Sequence, residues 1–287
     1  MVIVDTHVHV FTDDRKNYPQ TRDTPRAGSI PSITDIGQTE WPLTTAETLL
    51  SLMDEAGIHK ATLAQAYFVY EYDNRYTVDA ALAHPDRFAS IVVLDPLDEK
   101  APDELSRLVR EKGVTGLRFM RGRLPASSLG EPATFSLWER MQALKIPLVI
   151  ADRIGELAKV RKVMERYPDV KVSIEHSWGH TVGKPPYPAL DPLFALADIP
   201  NLYVKTAINN IEAAREGGGT VEALYTKLMR TFGPKRIMWS SNYPAHPRLG
   251  GLKGRLEIFE KELAFLGEED RRWIFGETAL TLFPSLR

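Results

Sequence analysis

Eight short apolar runs separated by amphipathic segments constrain this chain more than any other feature. They are VIVD (2–5), ATLAQ (61–65), SIVVLD (90–95), TGLRFM (115–120), PLVIAD (147–152), VKVSIEH (170–176), LYVKTA (202–207) and RIMWSSN (236–242). Near-continuous apolar stretches of this length fit parallel strands covered on both faces. The segments between them carry helix signals. Thr44-Thr45-Ala46-Glu47 reads as a capping box before TLLSLMDEAG, which Gly57 ends. Pro102 opens PDELSRLVREKG, and similar patterns recur in TFSLWERMQALK, GELAKVRKVMERYP and TVEALYTKLMRTFG.

Eight alternating strands and helices in 287 residues predict an α/β fold, a (β/α)8 TIM barrel forming a single domain over 1–287. An open two-layer sheet is the alternative, and eight units favour closure. Residues 12–43, rich in Pro, Asp, Thr and Arg, form a long loop after strand one, expected to act as a lid or substrate wall. EGGGT at 216–220 reads as a hinge or the start of a helix.

Composition narrows the function classes. The chain has 36 basic and 38 acidic residues, so no global field points to nucleic acid or an anionic membrane. Without cysteine there is no disulfide, thiolate metal site or cysteine nucleophile. The first residues lack a basic stretch followed by a long apolar run, and no run is long enough for a membrane span. A cytoplasmic protein is expected, with a homo-oligomer left open.

In a barrel the strand C-termini converge on one mouth. Strand one contributes Asp5, His7 and His9, which strict alternation places on one face, opposite Val4, Thr6, Val8 and Val10. The other strand ends add Gln65, Asp95, Arg118, Asp152, Glu175 with His176, Lys205, and Ser241 with Asn242. His7, His9 and His176 together suit a divalent metal such as Zn or Mn; no organic cofactor is called for. A proton acceptor would come from His7, His9, His176, Asp152 or His246. Asp5 either fixes an imidazole tautomer or bonds only to backbone. His59 and His84 read as surface or capping residues.

Arginines at a mouth clamp carboxylates well, and Arg118, followed by Arg121 and Arg123, points to a small anionic substrate. Arg153, Lys205, His246 and Arg248 add to this positive character, although surface salt bridging is the commoner role of an arginine such as Arg153. The aromatic stretch AYFVYEYDN (66–74), with Tyr67 near its start, forms either a flat wall for a planar substrate or packing beneath the long loop.

VDTHVH, GVTGLRFM, VSIEHSWGH and IMWSSNYPAHP resemble strand ends one, four, six and eight of the amidohydrolase superfamily over essentially the whole chain. The branch is the one that holds dicarboxylate and sugar lactonases and, more distantly, non-oxidative decarboxylases. The resemblance implies Arg118 as a carboxylate anchor, with Arg121 or Arg123 second. It also implies a strand-eight aspartate that ligates metal or takes a proton, where this sequence has Asn242. An amide cannot act as a base near neutral pH and carries no charge, so metal-dependent and metal-free chemistry both stay open. The leading expectation is a hydrolase that opens a small carboxylated lactone or cleaves a related ester or amide. The alternatives are a lactone isomerase, which Asn242 favours, a decarboxylase, and a barrel whose site has become a binding module.

Overall fold

The computed structural model describes residues 1–20, 42–120, 129–151, 154–176, 178, 182–245 and 250–287. Its strands are β1 (Val4–Val8), β2 (Lys60–Ala64), β3 (Phe88–Val93), β4 (Gly116–Met120), β5 (Leu148–Ala151), β6 (Val172–Ile174), β7 (Leu202–Thr206) and β8 (Ile237–Trp239). Each pairs in parallel with its successor, in the order β1 to β8. The seam between the last strand and the first is closed beyond the end of β8. There Asn242 N donates to His7 O at 3.0 Å, and His9 N donates to Tyr243 O at 2.9 Å. This is the (β/α)8 barrel that the apolar runs predict.

Around the strands lie α1 (Ala46–Ala56), α2 (Tyr67–Tyr70), α3 (Arg75–Ala83), α4 (Ala101–Lys112), α5 (Phe135–Leu144) and α6 (Arg161–Arg166). They continue as α7 (Asp191–Phe194), α8 (Ile208–Glu216), α9 (Val221–Phe232), α10 (Leu252–Glu262), α11 (Glu268–Arg272) and α12 (Thr278–Leu282). None is long and apolar enough to cross a membrane. Helix α1 buries Leu49 and Met53, each worth about 1.5–3 kcal/mol. It packs beside α10, the helix that follows β8, across the seam of the closed ring. Its N-cap is Thr45, which accepts from Thr48 N at 3.2 Å, one residue later than the capping box predicts. Thr44 Oγ1 instead donates to Pro42 O.

Two cores share the strands. Outward-facing side chains pack with the helices in one large cluster. Val4, Ile91, Val149 and Tyr203, from the four odd strands, meet Met238 and the C-terminal Leu282, Phe283 and Leu286 in a second. These residues form the barrel floor, one layer supplied by alternate strands. The floor depends on a close approach: a Cβ on Gly276 would lie 2.1 Å from Val2 O.

The glycines of EGGGT are packed rather than hinge-like. A Cβ on Gly217 would meet backbone atoms of Gly183 and Ala213 within 3 Å, and Thr220 caps α9. Most of the loop expected over 12–43 lies outside the described residues. Its described start packs on the aromatic stretch, where Tyr70 Oη accepts from Thr12 N, and just beyond the stretch, where Tyr18 meets Tyr76 edge-on. For Tyr70 the packing alternative holds.

Candidate active site

The mouth is built around an irregularity in β1. Asp5 pairs with Ala61 and Val8 with Leu63, so two residues of β1 face one of β2 between those points. Such a bulge re-aims the side chains that follow it. Val4 accordingly sits in the floor cluster, whereas Val8 and Val10 sit in the outer core. The expected shared face of Asp5, His7 and His9 is therefore broken. Asp5 Oδ1 accepts from Ser241 N at 2.9 Å and His7 N at 3.1 Å, which is the backbone alternative for this residue. His7 and His9 enter the mouth.

Thr6, at the bulge, keeps its carbonyl satisfied by side chains. Thr62 Oγ1 and Lys205 Nζ both donate to Thr6 O at 2.6 Å. Lys205 lies two residues beyond Tyr203 on the same face of β7, fully buried, and burial lowers its pKa to about 8.

His9 Nδ1 stands 2.7 Å from Ala64 O, and its ring meets Phe68 edge-on at 5.1 Å. A carbonyl oxygen can only accept, so Nδ1 carries the proton and Nε2 a lone pair. His7 Nδ1 lies 3.0 Å from Glu175 Oε1, too bent for a good hydrogen bond, and the carboxylate there favours the tautomer with the proton on that nitrogen. In that tautomer the two Nε2 lone pairs face each other at 3.0 Å, whereas with its proton on Nε2 His7 donates to His9 across the same distance. Two lone pairs at that separation repel unless a proton or cation lies between them. Burial disfavours the proton: it lowers His7 well below its ordinary value and, with the Arg118 charge, brings His9 to about 3. With both protons on Nδ1, the donor chemistry fits a divalent ion. His176, edge-on to His7 at 4.9 Å, completes the histidine cluster.

His7, Glu175 and His176 also place ligand atoms within 4.8 Å of one another. Glu175 is already engaged: Arg118 donates Nε to Oε1 at 3.0 Å and Nη2 to Oε2 at 2.6 Å. Burial alone would raise its pKa, but the Arg118 charge, helped by the His7 contact, outweighs it and holds Glu175 well below the usual carboxylate range. Glu175 is thus an ionised partner that orients His7. Arg118 Nη1 is buried and has no hydrogen-bond partner among the described residues.

The remaining expected residues divide. Gln65 Nε2 donates to Glu71 O and Asp73 O, holding the turn after α2, while its Oε1 is buried without a partner among the described residues. Tyr67 is buried edge-on against Tyr72. Asn242 is buried at the end of β8 in a left-handed conformation, φ 55°. Asp152, Arg121, Arg123 and His246 lie outside the described residues, as do Arg153, His180 and Arg248. His59 Nδ1 accepts from Ile3 N, and His84 is the C-cap of α3; neither approaches the mouth.

Three contributors were not assigned from sequence. Asn209 and Asn210 of α8 donate to His176 O at 3.2 and 2.9 Å, holding the end of β6. Arg255 of α10, fully buried, donates Nη1 to Ser241 O and Asn242 O and Nε to Gly250 O. The paired Asn209-Asn210 directly after a strand was the available signal for the first two; Arg255 sits in an ordinary amphipathic helix and had none.

Barrel and mouth together define a (β/α)8 enzyme with a histidine-rich centre. The amidohydrolase family model matches residues 4–285, and the chain belongs to that family. No curated protein matches the sequence. Among solved structures, the chain is similar to a probable 2-pyrone-4,6-dicarboxylic acid hydrolase of Acinetobacter baumannii with citric acid bound. The TM-score is 0.75 at 20% identity, over 99% of this chain and 100% of that one. An amidohydrolase of Burkholderia multivorans with bound zinc superposes at 0.74 and 14% identity, over 99% of each chain. A dihydroxybenzoic acid decarboxylase of Polaromonas sp. JS666, with manganese and 2-nitroresorcinol, superposes at 0.70 and 19% identity, over 100% of this chain and 98% of that one. At these identities the likeness is one of fold.

Proposed function

We propose that the protein hydrolyses a small carboxylated lactone, or a related ester or amide, at a divalent metal held by His7, His9 and His176. The observation that carries this reading is the pair of Nε2 atoms 3.0 Å apart, each imidazole oriented from its far side by Ala64 O or Glu175. Zinc or manganese bound there would polarise the lactone carbonyl and acidify water.

The chain's own groups do the rest. Arg118 is locked by Glu175 along one edge of its guanidinium and offers Nη1 to a substrate carboxylate. A rigid donor of this kind positions the ring at little entropic cost. Asn242 can hydrogen-bond substrate but cannot accept a proton near neutral pH. Glu175 is too weak a base, because the Arg118 charge and the His7 contact hold its pKa low. With the three histidines on the metal, proton acceptance falls to Asp152 or His246. Lactone isomerisation is the second reading, favoured by Asn242, since a mouth without a strong base moves an acyl group more readily than it activates water.

The test is metal analysis of protein purified without chelator, followed by chelation and add-back while acid release from 2-pyrone-4,6-dicarboxylate and simpler carboxylated lactones is followed. Acid release lost on chelation and restored by Zn or Mn is expected. Chelator-resistant hydrolysis would remove the metal from this reading, and ring rearrangement without acid release would replace it by isomerisation.

A further inference from the structure

The buried charges around the histidines do not balance. Among the described residues, the charged groups that meet inside the barrel at this level are Arg118, Glu175 and Lys205, all buried. Arg118 and Glu175 form one neutral, doubly hydrogen-bonded pair. Lys205 is left over: its ammonium donates to the uncharged Thr6 O, and its charge reaches both His9 and Glu175. The Asp5 charge also reaches Lys205, but Asp5 is matched by the equally buried Arg255, so the enclosure stays one net positive.

A divalent ion between neutral imidazoles would raise the enclosed charge from one net positive to three. Uncompensated charge in a dry interior is costly, and like charges a few ångströms apart repel strongly there. A carboxylate ligand brings the missing negative charge and finds a donor in Arg118 Nη1, which is buried and otherwise without a partner among the described residues. The ion in turn offsets the cost of burying the carboxylate.

We propose that the mouth is a coupled cation–anion site, in which a divalent ion and a carboxylate ligand each bind weakly alone and tightly together, with Lys205 setting the strength of the coupling. This rests on the proposed placement of metal and carboxylate at the mouth and adds to it the order of events: the metal is retained chiefly while an anionic ligand is present. It does not depend on hydrolysis.

The experiment is calorimetric titration of Mn2+ into metal-free protein, alone and with isophthalate, whose two carboxylates sit too far apart to chelate one ion. Isophthalate should raise the Mn2+ affinity at least about tenfold, and Mn2+ should raise the isophthalate affinity by the same factor, as linkage requires. Lys205→Met should bind Mn2+ alone more tightly than the parent and lose most of the coupling, while Lys205→Arg keeps it. Thr62 Oγ1 still satisfies Thr6 O in these variants. Should Lys205→Met fail to fold, Asn242→Asp adds a negative charge at the same mouth and should abolish the coupling likewise. Equal Mn2+ affinity with and without isophthalate, or no binding of either probe, overturns the proposal. Coupling in a protein that leaves every lactone intact would keep it and remove only the hydrolase reading.

Discussion

Arg118 on β4 and Glu175 at the end of β6, with β5 between them, hold each other through two parallel hydrogen bonds of 3.0 and 2.6 Å. Each does a second task from that position. Glu175 turns His7 through Nδ1, and Arg118 keeps Nη1 in reserve.

Removing one partner should therefore cost more than removing both. Arg118→Met leaves Glu175 as a buried unpaired charge and is expected to lower unfolding free energy by about 3–5 kcal/mol. Adding Glu175→Gln should recover much of that loss, as read from urea unfolding of the two single variants and the double. Additive losses would show that the pair is not energetically coupled.

The orienting role of Glu175 is separable from its structural one. Glu175→Gln keeps the shape but weakens the hold on the His7 Nδ1 proton, so affinity for Zn2+ should fall about 10–100-fold. Competition with a chromophoric chelator measures this directly. Unchanged affinity in a folded variant would mean that His7 needs no carboxylate behind it.

Asn242 combines a side chain at the mouth with a left-handed backbone, φ 55°. Asn242→Gly and Asn242→Ala both delete the amide, but only alanine strains at that φ. Alanine should be the less stable of the two by about 1 kcal/mol, while both should change activity alike. Equal thermal stability of the two variants would refute the strain.

Burial raises Asp5 to about 6 from an ordinary 3.8, despite the bonds from Ser241 and His7. A carboxyl with a raised folded pKa contributes stability that is fully present below 3.8 and lost as pH rises through 6. Asp5→Asn keeps the acceptor for Ser241 N and His7 N without the charge. Its stability relative to the parent should improve by roughly 2 kcal/mol between pH 4 and pH 7. Urea unfolding of both proteins at the two pH values tests this, and a pH-independent difference would contradict it.

Much of this molecule is legible along the chain because its determinants are local. The alternation of apolar runs with amphipathic segments specifies strands and helices one at a time, and eight such units close because each buries its faces against its neighbours. That His7, His9, Arg118, His176 and Lys205 reach one end of the barrel follows from their places at strand C-termini. Which face each side chain takes does not follow. Alternation placed Asp5 beside His7, and the bulge separated them, because pairing register depends on how β1 meets β2 some 55 residues later. Arg118 meeting Glu175, Lys205 meeting Thr6 O, and Arg255 meeting the end of β8 are contacts between residues 57, 199 and 14 positions apart. A sequence states which charges are present; only the folded packing decides which of them cancel, since burial makes each uncompensated charge costly and proximity alone supplies the compensation.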